Sequence, residues 1–96
     1  MGKKKQPQIC IITVTGKDKV GIIAKISNAM YRAGVNIVDV NQNIMEDYFV
    51  MAMACDICEA NISIEKIQHR LTSISNEMDL NITLQNETIF KMMHRV

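Results

Sequence analysis

Residues 9–34 read ICIITVTGKDKVGIIAKISNAMYRAG, and this stretch places a strand, a glycine-bracketed loop and a helix in immediate succession. Residues 9–15 are β-branched at nearly every position and apolar on both faces, which predicts a strand covered on both sides. Apolar residues then recur at helical spacing between about residues 20 and 33, and Gly34 is well placed to end that helix in a left-handed conformation. The stretch therefore predicts a buried strand that leads directly into an amphipathic helix.

The loop between these elements, Gly16–Gly21, has a glycine at each end and three charged residues inside. A helix that begins here exposes backbone N–H groups without partners inside the helix, and such an end attracts a carboxylate or a phosphate. The spacing of the glycines is neither that of a phosphate-binding P-loop nor that of a dinucleotide fingerprint. The loop is therefore predicted to be a docking corner for a small ligand.

The rest of the chain continues with strands and helices that are recognised by the same kinds of pattern. In order, they are an alternating strand at residues 35–46, a turn at Glu46-Asp47, an apolar strand at 48–56, a helix that begins near Asn61 or Ser63, an alternating strand at 80–86, and a short helix within 88–96 that Thr88 caps. On the second strand the two faces carry Val38, Val40 and Ile44 on one side and Asp39, Asn41 and Asn43 on the other.

This β-α-β-β-α-β order predicts an α+β, ferredoxin-like fold. The first and third strands are apolar on both faces and belong at the centre of the sheet, whereas the second and fourth each have a polar face and suit its edges. Right-handed crossovers then favour a four-stranded antiparallel sheet of order 4-1-3-2, with both helices on one face and a short C-terminal helix or tail. Residues 8–96 are expected to form this single domain behind a flexible tail of residues 1–7.

Composition excludes several classes of function. A net charge of +1 gives no general attraction to nucleic acid, and the basic cluster Lys3–Lys5 is interpreted as a solvated tail rather than a nucleic-acid arm. No apolar run approaches the roughly 20 residues that span a bilayer, and no signal-peptide pattern opens the chain. Three cysteines without an export signal are expected to be reduced thiols in a cytoplasmic protein.

The face of the sheet that the two helices leave open is predicted to be an interface. The central strands carry apolar side chains on that face as well, and an exposed apolar patch of this kind usually marks a contact surface. A homo-oligomer, either a dimer or a tetramer, is therefore expected. Alternatively, the C-terminal helix buries Ile89, Phe90 and Met93 and covers part of the patch.

The residues Thr15–Ala24, followed by Ala33–Ile37, resemble the ACT domain family. They contain an aspartate near a glycine, then an apolar helix, then a Gly-x-Asn-Ile step into the second strand. The C-terminal residues 89–95 resemble the ends of small stand-alone ACT proteins of uncharacterised role. The ACT segments of formyltetrahydrofolate deformylase and of glycine-cleavage regulators are also similar. One departure is Val20, where many ACT domains carry proline.

The resemblance implies a regulatory, non-catalytic domain that binds an amino acid or a related metabolite between two subunits and acts on a protein partner. No cofactor and no metal are implied. In such domains the loop after the first strand of one subunit faces the second strand of its neighbour. Carried over to this sequence, the ligand-binding residues are Lys17, Asp18, Val20, Gly21, Ile22, Asn36 and Ile37. Asp18 is suited to an ammonium group, the helix start to a carboxylate, and Asn36 to both donating and accepting hydrogen bonds.

Structural roles compete with these functional ones. Asp18 is alternatively a cap or a dipole partner of the first helix. Gly21 is alternatively required only for close helix–sheet packing, and Asn36 for a turn between helix and strand. Val20 in place of proline favours a second hypothesis, an assembly module that binds partners but no small ligand.

Cys55 and Cys58 raise a third hypothesis, a metal or redox protein. A zinc site would need two further ligands, and His69 and His94 are the only histidines. A redox motif of this spacing should open a helix, whereas the second helix is predicted to begin only near Asn61. Structural thiols are therefore favoured. No Ser-His-Asp order or paired-carboxylate site is present to indicate an enzyme.

Overall fold

A computed structural model describes residues 6–93 of the chain as a four-stranded sheet with three helices. Lys3–Lys5, which the sequence analysis interprets as a solvated tail, and the histidine His94 lie outside this range. The strand order β2-β3-β1-β4 is the predicted 4-1-3-2 read from the other edge, and every strand pair is antiparallel. The elements are β1 (Ile9–Lys17), α1 (Ile22–Arg32), β2 (Asn36–Met45), β3 (Tyr48–Asp56), α2 (Ile64–Met78), β4 (Leu80–Asn86) and α3 (Glu87–Met93). The predicted α+β, ferredoxin-like fold is thus confirmed.

The hydrophobic core lies between the sheet and the pair α1 and α2. Alternate residues of β1 and β3 face the helices, so that Ile12 lies opposite Met53 and Val14 opposite Met51 in the strand register. All four side chains are fully or almost fully buried. The helices contribute their apolar stripes to the same core, namely Ile22, Ile26 and Met30 from α1 and Ile67, Leu71, Ile74 and Met78 from α2.

The end of α1 and the start of α2 are each stabilised by a local capping arrangement. Gly34 has φ +72°, and the Val35 N–H donates to the Met30 carbonyl at 2.9 Å, which ends α1 in the predicted left-handed conformation. Ser63, one of the two predicted starting points, caps α2 by accepting from the Lys66 N–H at 3.3 Å. Asn61 instead donates to the Arg32 carbonyl at 3.1 Å and so fastens the end of α1 to the start of α2.

Strand β2 departs from the strict alternation predicted for residues 35–46. A bulge between Ile37 and Asp39 shifts its register against β3, and Ile37 rather than Val38 packs against the core. Val38 is 57% exposed. From Asp39 onward the alternation holds. Within residues 6–93, β2 pairs with β3 on one side only, so its other side is a sheet edge.

Helix α3 covers part of the open face of the sheet by packing against β1 and β4. The Asn86 carboxamide oxygen accepts from the Thr88 N–H at 2.7 Å, so Asn86 rather than the predicted Thr88 caps this helix. Phe90 is half-buried beside Ile11, as predicted, but Ile89 is exposed rather than buried. The side chain of Met93 lies outside the described part of the structure.

Candidate functional site

The loop between β1 and α1 is held at both of its sides by long-range hydrogen bonds. The Asp18 N–H donates to the Asp47 carbonyl in the β2–β3 turn at 2.8 Å. The Lys19 ammonium donates to the Met78 carbonyl at the end of α2, a helix that has no basic residue of its own in its last turn. Val20 stands at the tip and is fully exposed. The loop is therefore fixed in place while its tip remains accessible.

Gly21 is the N-cap residue of α1 and has a left-handed backbone conformation that favours glycine, with φ +93°. A Cβ built on Gly21 would have no atom of another described element within 4 Å, so the interpretation that this glycine serves close helix–sheet packing is wrong. Among residues 6–93 no side chain caps α1, and its first turn contains no acidic residue. The alternative role of Asp18 as the cap of this helix is therefore also wrong, and the start of α1 has no side-chain acceptor from the described residues.

An open cavity of about 270 Å³ lies over this helix start. Its lining residues are Asp18, Lys19, Gly21, Ile22, Ile23, Ala24, Gln42, Ile44 and Phe49. Three of the predicted ligand-binding residues, Asp18, Gly21 and Ile22, therefore meet at one cavity. The positive end of a helix and a carboxylate face the same space, and apolar side chains form its walls.

Gln42 is one of six lining residues that the sequence analysis did not select as ligand-binding. It lies on β2 between Val40 and Ile44, on the side of the strand that pairs with core-facing residues of β3. A polar residue on the otherwise apolar side of an alternating strand was a signal present in the sequence, because only a cavity or solvent makes such a position tolerable.

Asn36 and Ile37 lie far from the β1–α1 loop of the same chain. Asn36 pairs with Asp56, which pairs with Ile9 at the start of β1, whereas the loop begins after Lys17 at the other end. Residues 9 and 17 are eight positions apart, or about 27 Å in an extended strand. The predicted ligand-binding residues thus form two groups at opposite ends of the sheet.

The Asp56 carboxylate accepts two backbone hydrogen bonds at the end of the sheet where Asn36 lies. The Gln8 N–H and the Cys58 N–H both donate to its Oδ1 atom at 3.0 Å. The Gln8 bond first, and then the Cys58 backbone and thiol bonds, lower the pKa of the Asp56 carboxyl below its usual value. Asp56 therefore supports the strand end in its ionised form, and this support is lost as the pH falls through that lowered pKa.

The three cysteines lie near this end of the sheet, and burial determines the pKa values of two of them. Cys10 and Cys55 are register partners on β1 and β3 and are fully buried. Burial raises the pKa of the Cys10 thiol, and burial followed by the proximity of Cys10 raises the pKa of Cys55 to about 12. Within residues 6–93, no three histidine, cysteine or acidic side chains are grouped so that they could hold a metal ion.

Thiol labelling is expected to separate the three cysteines. Half-buried Cys58 should react with an aromatic disulfide reagent at pH 8 in the native protein, because the reagent can reach it. Cys10 and Cys55 should react only after denaturation, since burial keeps both thiols protonated and inaccessible. A Cys58→Ser variant provides the control and should show no fast phase. Rapid native labelling of two or three thiols would contradict this assignment.

The chain belongs to the ACT domain family, because residues 8–85 match the profile of that family. ACT domains are in general regulatory domains that bind small ligands. A UPF0237 protein of Listeria innocua is 42% identical over 86 residues, covering 90% of this chain and 97% of the relative. A UPF0237 protein of Methanococcus maripaludis is 40% identical over the same length, with 96% of it covered.

Solved structures agree with the fold. An ACT domain protein from Streptococcus pneumoniae has a TM-score of 0.75 and 28% identity, covering 90% of this chain and 97% of that one. A formyltetrahydrofolate deformylase from Pseudomonas syringae has a TM-score of 0.77 and 17% identity, covering 85% of this chain but 28% of that chain. A structure described as a glycine cleavage system transcriptional repressor has a TM-score of 0.74 at 23% identity, covering 85% of this chain and 47% of that one. The last two show likeness of fold alone.

Among residues 6–93 the structure has no helix of the length and apolarity that crossing a membrane requires.

Proposed function

We propose that two copies of this chain pair through β2 and bind an amino acid or a related small metabolite in a cleft between them. The observation that carries the proposal is the open cavity beside the edge strand, with an uncapped helix start and the Asp18 carboxylate facing one space. The domain is regulatory rather than catalytic and passes its liganded state to a protein partner. The three cysteines form no disulfide, which supports a cytoplasmic location.

Pairing of β2 with a second copy of itself supplies the missing half of the cleft. A two-fold axis near residues 40 and 41 would run the two β2 strands antiparallel and extend both sheets through their free edges. Asn36 of the partner subunit would then lie beside Met45, at the same end as Gln42 and the loop. Two groups that lie about 27 Å apart in one chain would in this way be joined across the pair.

The chemistry of this cleft suits a zwitterion. The uncapped N–H groups at the start of α1, beside Gly21 and Ile22, would hold a carboxylate. The Asp18 carboxylate would hold an ammonium group. Lys17 adds positive charge next to Asp18, and Val20 would shield the bound ligand at the tip of the loop. Asn36 and Ile37 of the partner subunit would close the cleft with an amide and an apolar side chain.

Isothermal titration of the full chain with each of the common amino acids tests the proposal. One or a few should give saturable heat, and a ligand at 100 times its Kd should stabilise the fold by about 2.7 kcal/mol, which raises Tm by roughly 10 °C. Asp18→Ala should abolish the heat. Asp47→Ala, which removes a carboxylate from the neighbouring turn, should leave it unchanged.

Absence of heat and of any Tm shift with every amino acid would contradict ligand sensing. If the chain still formed a dimer in that case, the exposed β2 edge would favour the alternative function, an assembly module that binds no small molecule. Stoichiometric zinc or iron in the purified protein would instead support the metal hypothesis based on Cys55 and Cys58.

A further inference from the structure

The outer surface of the two helices contains a groove that the proposed ligand cleft does not use. Helices α1 and α2 run in opposite directions, because Lys19 before α1 bonds to the end of α2 while Asn61 before α2 bonds to the end of α1. Between them lies an open groove of about 460 Å³. Ala29 and Ile74 form its apolar floor near the middle.

The two ends of this groove differ in charge. At one end Lys25 and Glu77 form an ion pair of 2.6 Å, so this end is neutral overall. At the other end Arg32 and Arg70 line the groove from facing helices, and neither forms an ion pair within residues 6–93. Arg32 lies in the last turn of α1, where the helix dipole stabilises a cation. Arg70 lies in the middle of α2, where the helix dipole gives no such stabilisation. These two arginines therefore give this end of the groove a net positive charge, which an anion would neutralise.

We propose that this groove docks an acidic segment of a partner protein. Carboxylates of that segment would bind between Arg32 and Arg70, and an adjacent aliphatic side chain would lie over Ala29 and Ile74. The Lys25–Glu77 ion pair leaves the other end without net charge, which favours a neutral residue there. A nucleic acid fits less well, because the positive charge is confined to one end of the groove, whereas a phosphate backbone is charged along its whole length. None of the described lining residues is aromatic, so the groove offers no side chain for base stacking.

Helix α1 connects the groove to the ligand cavity. Its first residues, Ile22 to Ala24, line the cavity, and Lys25, Ala29 and Arg32 line the groove. A ligand that holds the start of α1 would therefore act on the same rigid element that presents Arg32 to the partner. The role of the groove as the output of regulation rests on the proposed function, whereas the docking itself does not require a bound amino acid.

Fluorescence anisotropy with a labelled peptide, Glu-Glu-Ala-Leu-Gly-Lys, tests the docking in the absence of amino acids. We expect saturable binding with a Kd below about 1 mM, and at least about tenfold weaker binding by an Arg32→Gln/Arg70→Gln double variant. A Lys91→Gln variant removes a positive charge on α3, outside the groove lining, and should bind within about twofold of the wild type. A peptide with both glutamates replaced by glutamine should bind at least about tenfold more weakly.

Four results would overturn the docking proposal. They are the absence of saturable binding up to about 1 mM, equal affinity for the glutamine peptide, equal weakening in the control variant, and tighter binding of a 12-base-pair DNA duplex that the arginine variant loses. The last result would identify a nucleic-acid surface instead. Because the assay contains no amino acid, a failure here leaves the titration test of the ligand cleft unaffected, and the two proposals fail separately.

Discussion

Phe49→Ala is expected to lower the free energy of unfolding by about 3–5 kcal/mol, a large part of the roughly 5–15 kcal/mol that stabilises a domain. Phe49 is only 3% exposed and belongs to the buried core. It lies opposite Gly16 in the strand register, at the point where β1 leaves the sheet for the loop. The Leu80 side chain already lies over Gly16, and Gly16 itself has no side chain, so truncation of Phe49 would leave a cavity in the core.

Equilibrium denaturation with urea measures this effect, and Tyr31→Ala is the matched control. Tyr31 is also aromatic but is 81% exposed on α1, so its replacement should change the free energy of unfolding by no more than about 0.5 kcal/mol. The unfolding midpoint of Phe49→Ala should fall steeply, and amino-acid binding should weaken with it, since Phe49 also lines the cavity. Equal midpoints for the two variants would show that Phe49 is not a core residue.

The overall fold could be predicted because its signals are local and mutually consistent. The two-sided apolarity of residues 9–15 and 48–56 placed those strands at the centre of the sheet, and Gly34 marked the end of α1. The bulge before Asp39 could not be predicted, because it exists only in the pairing of β2 with β3. The cap of α3 was misplaced because Asn86 and Thr88 are both good capping residues, and only the three-dimensional structure distinguishes them.

The candidate site was predicted only in part, because some of its features are local in the sequence and others depend on long-range contacts. The glycine-bracketed loop before a helix is visible in the sequence, and Asp18, Gly21 and Ile22 do line one cavity. That Asp18 does not cap this helix was visible only in the structure. The anchoring of Lys19 to the Met78 carbonyl joins positions 59 residues apart, and no local pattern indicates it. Gln42 lines the cavity because it lies on the core-facing side of β2. The alternation of the strand places it with Val40 and Ile44, but the sequence does not say that a cavity lies on that side.

Refolding Asp18→Ala chains together with Asn36→Ala chains is expected to restore ligand binding that neither variant has alone. Each variant dimer lacks one required group in both of its clefts. Random pairing of equal amounts makes about half of the dimers mixed, and one of the two clefts in each mixed dimer has both groups intact, so about one quarter of the sites should return. The number of sites is measured by isothermal titration after joint refolding from denaturant.

A second mixture shows whether the recovered sites come from shared clefts. Asp18→Ala chains refolded with Asp18→Ala/Asn36→Ala chains contain no intact cleft in any pairing, so this mixture should give no heat. If Asp18 and Asn36 acted within one chain, the first mixture would also give none, because every chain would carry its own defect. The register of the sheet opposes that case, since it holds the two residues at opposite ends of the same domain. Recovery of binding therefore requires the β2 edges of two chains to meet, and dimers that form without recovery would exclude the shared cleft.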